Sequence, residues 1–313
     1  MSRGRAIDST RASLAGHTFH HAWAARSCLE LLPADTDLER IALEGFAKDD
    51  VGVEVSQSAD EVADLVRYRG GPDVQTAHRI EVVQFKYSIA RAGVAVRAAD
   101  LAKTAGKFAQ VMRDHRADLG QDRADAVLRF EYLTNRPVDP DLAAALEGLA
   151  GGAPLARGDA DQAEVLRQAT GLDGDDLALF ARNLSVVGQG GSVRQVQGAL
   201  ARLIANWNGG ADFLAIARLR ALSDFVDEIA GMAGQGRNTI GRVDVLGTLQ
   251  IADEDELFPA EAAFPEVEKV IPRDSLGQVL DRIAAVDRPL LLHATGGMGK
   301  TVLMQSLAGA LSG

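Results

Sequence analysis

The segment Ile80-Glu-Val-Val-Gln84-Phe-Lys86-Tyr87 decides the fold predicted for the front of this chain. Its β-branched and aromatic residues predict a strand of a sheet. Because successive side chains of a strand point to opposite faces, Gln84 and Lys86 lie on one face together with Val82. Burying an ammonium among apolar residues is costly unless the group is paired or used. This strand is therefore the first candidate for a functional site.

Further strands and helices are expected on both sides of this segment. Residues 17–32 lack glycine and proline and predict a helix. Apolar residues at helical spacing predict a second helix, namely Leu101, Ala105, Phe108 and Met112. Short β-branched stretches predict strands at Ile41–Glu44, Val51–Val55, Val62–Tyr68 and Val127–Thr134. The order of these elements predicts one α/β domain over residues 1–138.

Acidic residues on two of these strands extend the candidate site. Asp64 lies on its predicted strand among apolar neighbours, and Glu44 ends another. If the strands are adjacent, Asp64 and Gln84 can hold a divalent cation through oxygen atoms, and Lys86 can position a water beside it. Such a cation polarises a phosphodiester and lowers the pKa of its bound water. We therefore predict a Mg²⁺-dependent site formed by Asp64, Gln84 and Lys86, with Glu44 as a further acid.

The distribution of charge bears on a nucleic-acid partner. The net charge of −11 argues against one at first sight, since phosphate contacts dominate affinity. Within residues 86–116, however, the basic residues are opposed only by Asp100 and Asp114. Lys103 and Lys107 are spaced i, i+4 off the apolar stripe and can contact the backbone of double-stranded DNA; a solvated helix face explains the same pattern.

The histidines, the single cysteine and the apolar segments limit which metal sites and which cellular locations the sequence predicts. His17 and His21 have a spacing that suits zinc, but without a third ligand we interpret them, with His20, as helix-surface residues or contacts to DNA phosphates. Cys28 is the only cysteine, which excludes an internal disulfide and a cysteine-cluster zinc site. The sequence has neither a long apolar span nor a signal-peptide core, which predicts a cytoplasmic protein without a membrane partner.

A phosphate-binding loop is predicted near the end of the sequence, at Ala294-Thr-Gly-Gly-Met-Gly-Lys300-Thr301. The glycines let backbone N–H groups point at phosphate oxygens, Lys300 would reach the β- and γ-phosphates, and Thr301 would ligate Mg²⁺. The residues expected to bind ATP with Mg²⁺ are Gly296, Gly297, Gly299, Lys300 and Thr301.

The remaining sequence predicts how these parts are joined. Residues 139–272 are expected to form an all-helical connector, and residues 273–313 the truncated start of a P-loop NTPase domain. Since further motifs of such a domain do not follow the loop, we expect the chain to be the front part of a longer protein and not to hydrolyse ATP efficiently.

Several of these motifs resemble a known family. The acid followed by a Gln-x-Lys strand, between two helices, resembles the PD-(D/E)xK nuclease superfamily, in its subset with glutamine in the last motif. Stretches including HTFHHAW, ADLVRY, QFKYS and YLTNRPV, together with the loop, resemble nuclease domains fused to STAND NTPases in bacterial anti-phage defence. The resemblance implies a restriction-endonuclease-like mixed sheet flanked by helices, a DNA endonuclease effector, and self-association on activation.

Two other classes of function stay open at the level of sequence. The front domain can keep a nuclease fold without activity and bind DNA or another protein under control of the nucleotide. The chain can also belong to a regulator that only hydrolyses ATP. DNA cleavage that depends on Asp64 and Lys86 distinguishes the nuclease from both.

Overall fold

A computed structural model describes residues 2–50, 62–207, 212–251 and 279–282 of the chain. The strands are β1 Leu38–Leu43, β2 Leu65–Arg69, β3 Arg79–Lys86, β4 Leu128–Thr134, β5 Leu184–Val187 and β6 Thr239–Gly241. The helices are α1 Ser2–Leu29, α2 Ala98–Leu119, α3 Gln121–Val127, α4 Pro140–Gly151, α5 Arg157–Thr170, α6 Gly174–Asn183, α7 Val193–Trp207, α8 Asp212–Met232 and α9 Arg242–Thr248.

The six strands form one mixed sheet in the order β5-β4-β3-β2-β1-β6. Strands β1, β2 and β3 are antiparallel neighbours, and β6 pairs antiparallel with β1. Strands β3, β4 and β5 run parallel, with α2 and α3 in the connection from β3 to β4. The ends of β1, β3, β4 and β5 therefore lie at the same edge of the sheet as the beginning of β2.

Hydrophobic cores lie on both faces of the sheet. On one face, Val82 packs in a core with the buried side of α2 and with residues of α4, α5 and α6. On the other, Val83 and Phe85 pack in a core with α1, α7, α8 and α9. The alternation predicted for β3 is therefore confirmed, and the α/β class is too, because helices cover both faces of a mixed sheet.

The segment predicted as an all-helical connector is not all-helical. Its helices are interrupted by β5, which extends the sheet beside β4, and by β6, which extends it beside β1. Both strands are short, four and three residues, so they carry little periodic pattern of their own. Their place is decided by pairing with strands far away in sequence.

One further predicted element is found, and several predicted segments lie outside the described residues. Helix α2 covers the predicted stripe, and Leu101, Ala105, Phe108 and Met112 are all buried. The predicted strand Val51–Val55, the phosphate-binding loop and the boundary at residue 272 lie outside the described residues. No helix in the described parts of the chain is long and apolar enough to cross a membrane.

Candidate active site

The edge of the sheet where β1 and β3 end brings the predicted acidic residues together. Just beyond the paired residues of β2, the backbone N–H of Asp64 donates to the carbonyl of Val83 at 3.0 Å. The N–H of Glu44, just after β1, donates to the carbonyl of Asp64 at 3.1 Å. Continuing the strand register by one residue places Glu44, Asp64 and Gln84 in one row across three neighbouring strands.

The side chains of Asp64 and Gln84 are in direct contact. Gln84 Nε2 donates a hydrogen bond to Asp64 Oδ2, and the backbone N–H of Phe85 donates to the same oxygen at 2.6 Å. No hydrogen bond to Asp64 Oδ1 is formed within the described part of the chain. One carboxylate oxygen is therefore held by two donors. The prediction that these two side chains meet is confirmed.

Lys86 lies two residues beyond Gln84, so both side chains belong to the same face of β3. Its side chain is exposed, and it forms no ion pair with the described acidic residues. It is close enough to His20 for its charge to lower the pKa of that imidazole.

Glu44 occupies a strained backbone position at this edge. Its φ is 52°, in the left-handed region that non-glycine residues rarely adopt. Desolvation by surrounding atoms and the negative charge of Asp64 raise the pKa of Glu44 to about 7, although the residue as a whole is exposed. Two carboxylates that repel each other are the arrangement that a bound cation would relieve.

His20 also belongs to this edge, which the sequence did not reveal. Its Nδ1 lies 3.9 Å from Asp64 Oδ2, and its ring centroid lies 5.6 Å from that of Phe85. Burial lowers the pKa of His20, and the opposing effect of Asp64 is smaller. The interpretation of His20 as a helix-surface residue is therefore wrong, since α1 packs on the sheet with this side chain facing the candidate site.

The two neighbouring histidines lie elsewhere on α1. His21 Nδ1 is 3.5 Å from Asp227 on α8, and His17 and His21 line a cleft of about 410 Å³ with that aspartate. In the described ranges, no three or more histidine, cysteine, aspartate or glutamate side chains are arranged to hold a metal ion. A zinc site at His17 and His21 would therefore find no third ligand among these described residues.

The chemistry of the donors at the sheet edge fits a weakly held Mg²⁺ rather than an enclosed cation. Mg²⁺ keeps several waters and usually binds one or two carboxylates together with substrate phosphates. Asp64 Oδ1, the Glu44 carboxylate and the amide oxygen of Gln84 provide oxygen donors of that kind. The hydrogen bonds to Asp64 Oδ2 fix which oxygen is presented.

Three arginines of the basic stretch at residues 86–116 form ion pairs within the fold. Arg91 pairs with Asp100, Arg97 with Asp139, and Arg116 with Asp125 and Asp176. The positive charge of these arginines is therefore offset by Asp100 within the stretch and by acidic residues later in the chain.

The two lysines predicted to contact DNA lie on α2. Lys103 is exposed and Lys107 is half-buried. Gly106, between them, approaches the backbone of Ala169 on α5 closely. Their contact with DNA stays a prediction.

Comparisons with known proteins give a distant structural likeness. No protein-family model matches the chain, and neither does any curated protein. Among solved structures, the chain is similar to a SAVED/CARF-domain containing Cap4 receptor of Moraxella osloensis, with a TM-score of 0.44 and 10% identity. The similarity covers 77% of this chain and 49% of that chain, so this chain spans about half of the length of that receptor.

Proposed function

We propose that this edge of the sheet is the active site of a Mg²⁺-dependent DNA endonuclease. The observation that carries the proposal is the contact between Asp64, which directly precedes β2, and Gln84 on β3, with Lys86 two residues further along β3. An acid, an amide and an amine from neighbouring segments of chain lie together at this edge of the sheet. That combination serves phosphodiester hydrolysis better than it serves folding.

Each side chain has a role in this chemistry. A bound divalent cation supplies positive charge at the phosphate and lowers the pKa of a bound water. Asp64, Gln84 and Glu44 would hold it through oxygen atoms, and the hydrogen bond from Gln84 Nε2 fixes the Asp64 carboxylate. Lys86 orients the attacking water and stabilises the charge that develops on the phosphate oxygens. Lys103, on α2, contacts the backbone of the double-stranded DNA.

Plasmid cleavage tests the proposal. Incubated with Mg²⁺ and, in a parallel reaction, with ATP, the protein is expected to nick or linearise the plasmid. Asp64→Asn and Lys86→Ala are each expected to lower the rate by about 100-fold or more, as loss of a group that stabilises the transition state does. Glu147→Gln, which changes an exposed acid on α4, is the control and keeps the rate.

Two outcomes contradict the nuclease. If the wild type leaves the plasmid intact yet retains DNA in a filter-binding assay, the inactive DNA-binding module is favoured. If cleavage persists unchanged in both Asp64→Asn and Lys86→Ala, the activity does not arise from this edge of the sheet.

We further propose that residues 294–301 bind ATP with Mg²⁺ and couple the nuclease to a STAND-type switch in anti-phage defence. This proposal is supported by the sequence pattern and its resemblance, since the loop lies outside the described residues. Lys300→Ala is expected to weaken ATP binding at least about tenfold in equilibrium dialysis, because the lysine contacts the β- and γ-phosphates. Undiminished ATP affinity in this variant contradicts the proposal.

Self-association on activation is the remaining part of this proposal. A shift of sedimentation coefficient when ATP and DNA are added would support it, and an unchanged coefficient in the presence of cleavage would contradict it.

A further inference from the structure

Helix α1 places an imidazole against the carboxylate at the centre of the candidate site. His20 Nδ1 is 3.9 Å from Asp64 Oδ2, the oxygen that already accepts hydrogen bonds from Gln84 and from the backbone of Phe85. The His20 ring also packs near the ring of Phe85, with centroids 5.6 Å apart. The Gln84 amide and the Phe85 N–H of β3 and the His20 ring of α1 therefore all lie near Asp64 Oδ2.

This placement is specific to one of the three histidines of α1. His21 is next in sequence but points to Asp227 on α8, with 3.5 Å between Nδ1 and Oδ1. His17 lies one turn earlier, with its ring 6.4 Å from that of His20. The charged and titratable groups that act on His20 are Asp64, Lys86, His17 and His21. Among the three, only His20 lies within ion-pair distance of Asp64.

The contact limits how the Asp64 carboxylate can turn. With Gln84 and Phe85 donating to Oδ2 and the His20 ring beside it, rotation about the Cβ–Cγ bond is opposed on that side. Because the carboxylate is planar, fixing Oδ2 fixes the position of Oδ1 as well. Carboxylates that ligate a metal depend on such neighbours, and losing one typically costs 10- to 100-fold in metal affinity or activity.

We infer that His20 is a positioning residue, which holds Asp64 so that Oδ1 faces a divalent cation. The inference rests on the proposed function of this site as a metal-dependent nuclease. The side chain of His20 is 26% exposed and lies near Phe85, so a variant that keeps a side chain of similar length is needed beside the alanine variant. His20→Ala removes the imidazole, and His20→Gln restores a side chain that can donate to Asp64.

The test measures cation binding and DNA cleavage separately. Mn²⁺ binding is followed by electron paramagnetic resonance on the protein without DNA, and plasmid cleavage is measured over a range of Mg²⁺ concentrations. His20→Ala is expected to raise the dissociation constant of Mn²⁺, and the Mg²⁺ concentration for half-maximal cleavage, by about tenfold. The rate at saturating Mg²⁺ should fall much less. His20→Gln should recover most of the loss, and the matched control His21→Ala should bind Mn²⁺ as the wild type does.

The outcomes separate this inference from the nuclease itself. If the wild type cuts DNA but His20→Ala binds Mn²⁺ as tightly as the wild type, the role of His20 is overturned and the nuclease proposal stands. If the wild type does not cut DNA but His20→Ala still binds Mn²⁺ less tightly, the role of His20 is supported and the proposed nuclease activity is contradicted. If His21→Ala loses as much Mn²⁺ affinity as His20→Ala, the effect belongs to the helix in general and the inference is overturned. A wild type that binds no Mn²⁺ overturns it as well.

Discussion

Single carboxylates in this protein are tuned by what surrounds them. Asp50 accepts a hydrogen bond from the Tyr68 hydroxyl at 3.0 Å, while its other oxygen is buried without a partner among the described residues. Desolvation outweighs the hydrogen bond from Tyr68 and the charge of Arg40, so the pKa of Asp50 is raised to about 6. An acid held in this way favours the native state when protonated and opposes it when charged.

This raised pKa predicts a pH-dependent effect of Asp50→Asn. Because the folded pKa of about 6 lies above the ordinary value of 3.8, the wild-type stabilisation is complete below pH 3.8 and is lost as pH rises through 6. The neutral amide avoids that loss, so the variant should be more stable by about 1 kcal/mol at pH 8 and equal at pH 4. Urea denaturation at both pH values measures the difference. The same gain at pH 4 and pH 8 contradicts this account.

At the scale of elements, close packing of helices depends on small residues at particular contacts. Helix α2 meets α5 at Gly106, where an added Cβ would lie 2.7 Å from the carbonyl oxygen of Ala169. That oxygen belongs to the backbone and cannot move without shifting the helix. At Gly198 on α7, in contrast, no described atom outside the backbone of that helix lies within 4 Å of the same position.

The two glycines predict opposite effects of alanine. Gly106→Ala is expected to lower the free energy of unfolding by about 1–3 kcal/mol, because the helices must separate. Gly198→Ala should raise it by about 0.5–1 kcal/mol, because alanine is the better helix former. Urea denaturation of both variants measures the contrast. If Gly106→Ala is neutral, the close approach of α2 and α5 is not as described.

At the scale of the whole molecule, the candidate site depends on a residue nearly two hundred positions away. Asn238 is 1% exposed, and its Nδ2 donates to the carbonyls of Leu43 and Phe46 at 2.9 and 2.8 Å. Its Oδ1 accepts from the N–H of Lys48 at 3.1 Å. These bonds close the turn that contains Glu44 and link it to β6.

Removing this amide should weaken both the fold and the site. Asn238→Ala leaves buried backbone groups without partners, so the free energy of unfolding should fall by about 2–4 kcal/mol. The folded variant should also bind Mn²⁺ less tightly, since Glu44 is no longer held. Thr239→Ala, which loses only one half-buried bond with Arg40, is the control and should cost less than about 1 kcal/mol. Equal stabilities of the two variants would show that the turn is held by other contacts.

The sequence by itself determined the local features of the fold. Alternation along Ile80–Tyr87 placed Gln84 and Lys86 on one face of β3, and the helical spacing of apolar residues located α2. Both follow from the geometry of one element, in which each residue's direction is set by its neighbours along the chain. The polar residues of β3 could therefore be singled out before any contact was known.

Only the tertiary structure decided which segments meet. It paired β2 with β3 so that Asp64 faces Gln84, added β5 and β6 to the sheet, and turned His20 on α1 towards Asp64. It also neutralised Arg91 and Arg97 with acids from other elements. Contacts between distant segments depend on the packing of whole faces, and strands of three or four residues carry too short a pattern to reveal their neighbours.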